Sequence, residues 1–525
     1  MIERVIEDWL TNVNERQYQI PFCQLLEAEG ETVVYISSHG QMEQGKDVIT
    51  TSGSRTEVRA YQLKAGRLNL SEWRKFRPEI IELVEYPIEH PSIKSNKRHT
   101  SFLVTNAGAA DTVINAIKSE NRGWKLRRRG ELHLITSAEL VSRFVKAHGK
   151  FLPSTPGNFG VFLNLIVKTG ADPLDKELFS SFLETILPFD SKVPTFRDIQ
   201  RAVASAVLLT TYITQGSQRL QNHWAVFEAW VVLGSYILGL QEKYAVPARW
   251  WGQSFELVEL AAVRALEELY AESEQNETMF VQGSPLIDGH FYTARITILA
   301  GLLSSLSLYH HLKKTSWNGH KFVRENFIEW YLPHLKMWGE SAVPYLLLAT
   351  IVLERSKDAT SARKLIAGMV RSISEVNGPK GKGIPNPYYE AEAALRLQLG
   401  LGLPTTETFN GYSYCLEPLI LWATRRGMRP QLERFWPDIT RLCFADFRPS
   451  EKWEIFRWRA RTGRLHTKIP NSPQSWPDLI KSADEAPDDI PAVLAAKPEF
   501  AIFFAMVFPH RLSSGLLRAI DLACH

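Results

Sequence analysis

Apolar and polar positions change period several times within the first 150 residues. Helical spacing runs over Ile2–Leu10 and Glu15–Glu29. Short β-rich runs follow at Thr32–Ile36, Asp47–Thr50, Thr56–Leu63, Ser101–Thr105 and Leu132–Thr136. Between the last two, Ala109–Glu120 returns to the helical period, and Thr136 or Ser137 can cap a further helix opening at TSAEL. Strands alternating with helices predict an α/β domain over residues 1–150, a mixed sheet flanked by helices. The Pro-, Gly- and Ser-rich stretch Phe151–Gly160 is expected as its boundary.

Beyond that stretch the β signal largely disappears. Helical patterns cover Leu174–Leu187, Thr195–Thr214, His223–Tyr244, Ser254–Ser273 and Tyr292–Leu312. They continue over Val323–Trp338, Val343–Glu354, Thr360–Val376, Tyr388–Leu399 and Cys415–Arg426. Paired helices with short connections predict a large all-α region over 151–525, in the manner of a solenoid and subdivided near 378–414. No fixed period matches a named repeat. Gly378–Pro387, Ile469–Asp478 and Ala483–Pro491 are expected as loops.

A chain of 525 residues and 59.8 kDa is too long for one ordinary core, and suggests two to four domains. Most of its 15 Trp fall after residue 220, where they are expected to anchor helix packing. The net charge of +4 identifies no partner, but its distribution is uneven. From Pro91 to Gly130, Lys94, Lys97, Arg98, Lys118, Arg122, Lys125, Arg127, Arg128 and Arg129 face only Asp111 and Glu120. Such an excess can meet phosphates or simply form a solvated loop. Cys23, Cys415, Cys443 and Cys524 include no CxxC pair, which fits a reducing cytoplasm. MIERVIEDWL mixes charge into its apolar residues and lacks a signal-peptide core. The longest apolar run, Ile296 to Tyr309, is about 14 residues against the roughly 18 of a membrane span, so a soluble protein is expected.

The segment with most chemistry is GKDVITTSGSRTEVRAYQLKAG, Gly45–Gly66. Hydrolysis of a phosphodiester needs charge neutralisation at phosphorus and an activated water, which carboxylate-held Mg²⁺ can supply. A lysine beside the metal can orient the water or stabilise developing charge. Here Asp47 opens one strand, Ser52–Ser54 turn the chain, and the next strand carries Gln62 and Lys64. Residues two apart on a strand share a face, so Gln62 and Lys64 emerge together while Tyr61 and Leu63 pack the other way.

GKDV followed by YQLK resembles the PD-(D/E)xK restriction-endonuclease-like superfamily, in the Mrr-like style where Gln replaces the second acid. The apolar strand SFLVTN and a helix behind the motif are also similar. The resemblance covers Met1 to Lys150. It implies a Mg²⁺- or Mn²⁺-dependent nuclease in which Asp47 ligates the metal. It further implies that Gln62 supports metal or water through its amide oxygen and that Lys64 handles water or phosphate. The family usually adds an acid from the first helix; Glu15 is the candidate, with Gln19 on the same face four residues later. Pro21 can kink or restart that helix.

His39 and Glu43 precede Asp47 in a loop and could touch substrate, although a lone loop His is more often structural. Lys46 is expected on the face opposite Asp47. Lys97, Arg98, Lys125, Arg127, Arg128 and Arg129 are the candidate DNA contacts, giving salt-dependent, sequence-independent affinity. RWRARTGR (Arg457–Arg464) and ATRRGMR (Ala423–Arg429) place Arg near Trp or Gly, an arrangement that can stack on bases but more often covers a helix surface. The helical half has no GxxxxGK[ST] and no HExxH. His310 and His311 are expected at a helix end.

The sequence therefore supports a metal-dependent DNA endonuclease controlled by its helical region, through a protein partner or self-association. The superfamily analogy suggests bacterial restriction or antiphage defence. The competing reading is a non-catalytic DNA-binding scaffold that recruits proteins, and an RNA nuclease would use the same chemistry.

Overall fold

A computed structural model describes residues 2–37, 45–52, 57–88, 90, 93, 98–147, 159–167, 170–190, 193–275, 289–400, 409–470, 474–485 and 490–525. The chain forms two compact units. The first comprises Met1–Thr169, Phe182–Gly216 and Ala248–Leu257, and the second Gly170–Ser181, Ser217–Pro247 and Val258–His525.

In the first unit the expected strands and helices all form. Its elements are α1 (Ile2–Asn12), α2 (Glu15–Ala28), β1 (Glu31–Ile36), β2 (Val48–Ser52), β3 (Val58–Lys64), α3 (Leu70–Glu85), β4 (His99–Thr105), α4 (Asp111–Leu126), β5 (Leu132–Ile135) and α5 (Ser137–Ala147). The five strands lie in sequence order. The β1–β2 and β2–β3 pairs are antiparallel, whereas β3–β4 and β4–β5 are parallel. The sheet is thus mixed, as the pattern predicts.

Two layers of helix cover it. Val58 and Ala60 of β3 face Trp73, Phe76, Ile80 and Leu83 of α3, with Val113, Ile117 and Trp124 of α4 in the same core. Their neighbours Tyr61 and Leu63 are also buried, and Tyr61 packs edge-on against Phe22 of α2. Period-2 alternation along β3 therefore feeds two cores, which explains why nearly all of the strand is buried. The unit also reaches past the expected boundary: α1 packs on both α5 and the helix Phe196–Ile213. Residues 151–158 of that boundary lie outside the described residues.

The second unit is mostly helical. His223–Tyr244, Gly289–Leu312, Val343–Arg355 and Pro498–Val507 form its centre, and the expected helices there recur within a few residues. His223–Tyr244 and Phe291–Leu312 are long and apolar enough to cross a membrane, but 94% and 78% of their apolar windows are buried within the fold.

Two expectations fail here. The region is not all-α: β6 (Tyr412–Ser413), β7 (Cys443–Pro449) and β8 (Gly463–Lys468) make a three-stranded sheet. β8 is exposed along its whole length and so carries no apolar alternation to announce it. The helix expected over Val323–Trp338 becomes a π-helical stretch, Phe322–Glu329, and a 3₁₀ turn at Leu332–His334. Pro333 in that turn cannot donate to a continuing helix.

Candidate active site

The motif residues meet where β2 begins and β3 ends. Asp47 stands just before β2, and its backbone N–H donates to Tyr61 O at 2.9 Å. Its carboxylate turns onto the adjoining strand and accepts from the N–H of Leu63 at 2.6 Å, between Gln62 and Lys64. Asp47 and Gln62 are both buried, at 6% and 3% exposure, whereas Lys64 sits at the strand end and is partly open. An acid buried on a backbone donor is held in one orientation, as a metal ligand must be.

Glu15 joins the group. Asn14 and Gln17 form a capping box that fixes the start of α2, and Pro21 is accommodated inside a continuous helix. Glu15 Oε1 comes to 4.0 Å from Lys64 Nζ. Gln19, on the same face, is buried, and its amide nitrogen lies 3.4 Å from the carbonyls of Ser37 and Asp47. Tyr18 ties the layers together by donating to Lys64 O at 2.9 Å. Burial and the charges of Glu15 and Asp47 push its phenol well above the usual range.

One member was not foreseen. Glu79 of α3 accepts from Gln62 Nε2 at 2.6 Å and from Lys64 Nζ at 2.9 Å, both on Oε2. Burial alone would lower the Lys64 ammonium. The Glu79 hydrogen bond and the charges of Glu15, Glu79 and Asp47 outweigh that and hold it above its ordinary value. In sequence Glu79 only borders the apolar stripe Trp73, Phe76, Ile80 and Leu83 of a helix capped by Asn69, which does not point to the site. Gly45 locks this arrangement. It has φ +69°, and a Cβ there would meet the Glu79 carbonyl oxygen at 2.2 Å.

The fit to a divalent cation is divided. Gln62 Oε1 is buried with no hydrogen-bond partner, an orphaned acceptor of the kind a cation would satisfy. Among the described residues, however, no three His, Cys, Asp or Glu side chains gather closely enough to hold a metal. Asp47, Gln62 and Glu15 are the residues that would hold one. Lys46 is buried, with its ammonium 3.4 Å from Glu82 O on α3. Burial lowers that ammonium to about 8, against the opposing pull of Glu82.

The expected DNA contacts lie elsewhere. Parallel pairing sets Val58 beside His99 and Lys64 beside Thr105, so Arg98 stands at the opposite end of the sheet from Lys64. At about 3.3 Å per residue the separation along the strand is roughly 20 Å. α4 runs back toward the same far end, since Leu132, shortly beyond it, pairs with Ser101. Lys125, Arg127, Arg128 and Arg129 are all exposed there, with Arg127 paired to Glu85 at 3.0 Å. Lys97, His39 and Glu43 lie outside the described residues.

The Arg–Trp segments of the second unit are split, with Arg429, Arg459, Arg461 and Arg464 exposed and other members in the fold. Arg457 and Trp458 are buried. Arg426 pairs with Glu354 and Asp521 at 2.6 and 2.7 Å. His310 and His311 lie at the end of Gly289–Leu312, as expected. No family model, no curated protein and no solved structure matches this chain.

Proposed function

We propose that the first unit is a metal-dependent DNA endonuclease of the restriction-endonuclease-like type, acting in bacterial restriction or antiphage defence under control of the helical unit. The observation that carries this reading is the convergence of Asp47, Gln62, Lys64 and Glu15, drawn from α2, β2 and β3, at one corner of the sheet.

A bound Mg²⁺ or Mn²⁺ would neutralise phosphate charge and lower the pKa of a coordinated water. The chain's own residues do the rest. Asp47, fixed by the Leu63 N–H, presents its carboxylate at the strand start. Gln62 offers its unpartnered oxygen beside it. Lys64, released from Glu79, donates to the phosphate or orients the attacking water through a mobile, fully protonated ammonium. The defence setting, and control through a partner or self-association, rest on the superfamily resemblance and on joining a nuclease site to a large helical unit.

The absence of a ready three-ligand group among the described residues favours a second reading, a DNA-binding scaffold without chemistry. Incubating purified protein with supercoiled plasmid and Mg²⁺ or Mn²⁺ separates the two. Nicking or linearisation that is lost in D47A/K64A supports the nuclease. DNA binding without cleavage, unaffected by D47A, supports the scaffold, and a single-stranded RNA competitor that blocks plasmid cutting shifts the substrate to RNA.

A further inference from the structure

The second unit contains a built pocket that the nuclease reading does not use. Lys176 Nζ lies 2.7 Å from Glu228 Oε1 and 3.1 Å from Glu390 Oε1. The same ammonium stands 5.1 Å from the centroid of the Trp458 ring. Around these charges Trp224, Trp338 and Tyr345 complete a largely aromatic wall. The cavity measures about 310 Å³ including its open mouth. Its interior has room for roughly one or two waters, so only a small group fits.

The charges do not balance. One ammonium stands between two carboxylates; burial pushes the Glu228 carboxyl up to about 7 against the pull of Lys176, so the excess negative charge is fully present only above neutral pH. Glu228 is only 1% exposed, yet among the described residues no donor is aligned on its Oε2. The indole N–H of Trp224, one helical turn earlier, lies beside that carboxylate and helps hold it ionised against burial, but is not aligned well enough on Oε2 to close a full hydrogen bond. Leaving an acceptor buried and unpaired costs about 1–3 kcal/mol, more for a charged group, so a pocket built this way favours an occupant that donates. The buried Arg457 and Arg511 do not line the cavity and face other acids: Arg457 lies 3.8 Å from Glu454, while Glu454 and Asp446 both act on Arg511.

We propose that this pocket binds a small primary ammonium group, with one N–H on Glu228 Oε2 and the cation against the faces of Trp224, Trp338 and Trp458. An anion is disfavoured because the unmatched charge is an acceptor. A bare divalent cation would find two carboxylates already paired with Lys176 and an otherwise largely aromatic wall, too few oxygen ligands for a hard metal ion. An alkylammonium uses both features, since aromatic rings attract cations most strongly when water is excluded.

Isothermal titration of the full chain with methylammonium chloride tests this, with sodium chloride and tetramethylammonium chloride as controls. Saturable binding at one site per chain is expected, with the bulkier tetramethylammonium at least tenfold weaker. Glu228→Gln, checked for an unchanged circular dichroism spectrum, should weaken methylammonium at least tenfold. Glu390→Gln, at the more exposed mouth, should weaken it about threefold and provides the test if the buried variant does not fold. No saturable binding by the wild-type chain, equal heats from sodium chloride, or affinities unchanged in the folded variants would each overturn the proposal.

Discussion

Each unit holds a lysine between two glutamates, and the two triads differ in how far water reaches them. In the first, the side chains of Lys64, Glu15 and Glu79 are 20%, 33% and 47% exposed. In the second, those of Lys176, Glu228 and Glu390 are 5%, 1% and 30% exposed. Exposed ion pairs contribute about 0–1 kcal/mol, because water competes for both partners. The first triad can therefore open at little cost and give its ammonium to a phosphate. The second is enclosed, and removing one partner strands a charge in a dry interior. The same three side-chain types are thus exchangeable in one place and structural in the other.

Substituting the two lysines breaks or confirms that contrast. Lys64→Ala should lower plasmid cleavage at least about 100-fold, the usual loss when a charge-stabilising donor is removed. Its unfolding free energy in urea should change by less than about 1 kcal/mol. Lys176→Ala should do the reverse, costing about 3–5 kcal/mol of stability. Equal stability losses from the two variants would end the distinction.

Smaller effects sharpen it. Lys46 is buried against Glu82, three residues along α3 from Glu79, with its ammonium lowered to about 8. Its folded value lies below its unfolded value, so the unfolded chain binds more protons between about pH 8 and 10.5. Stability should therefore rise with pH across that window, and the cost of the buried charge is carried in full below it. Lys46→Met should remove that slope in urea titrations at pH 7 and 10, and stabilise the protein at pH 7 by about 1–2 kcal/mol, discounted for its partial screening. Least of all, R128A/R129A should reduce the salt dependence of DNA binding by up to about two units of slope. The single-turnover cleavage rate at saturating DNA should not change, because these arginines stand at the far end of the sheet. A fall in that rate would place them at the scissile phosphate.

The pairing of Asp47 with Gln62 and Lys64 was legible because strand periodicity fixes faces, and a short hairpin fixes which residues adjoin. Glu15 was legible only through the family's habit of adding a helical acid. Glu79 was not, because its partners lie 15 and 17 residues away, and only the docking of α3 onto the sheet brings them together. The remoteness of Arg98 and Arg127–Arg129 is likewise a matter of strand direction, since a parallel β3–β4 pair cannot be told from an antiparallel one in a list of apolar runs. In the second unit most helices were visible in the pattern. β8 was not, since an exposed edge strand leaves no apolar trace, and the burial of Arg457 among exposed Arg459, Arg461 and Arg464 was not legible because a buried guanidinium resembles a surface one in sequence.

The central helix His223–Tyr244 also bears on how the protein is made. Phe227 packs against Phe503 with ring centroids 5.3 Å apart, and Gly234 leaves just enough room for Phe500. From Gly234 to Phe500 is 266 residues of chain. At about 5–20 residues per second, a ribosome needs roughly 13–53 s to supply the second side of that contact. For that interval a 22-residue apolar helix has no Pro498–Val507 to cover it. The nascent chain therefore passes through a stage in which its stickiest surface is open, and a chaperone that shields such helices would raise the yield of folded protein.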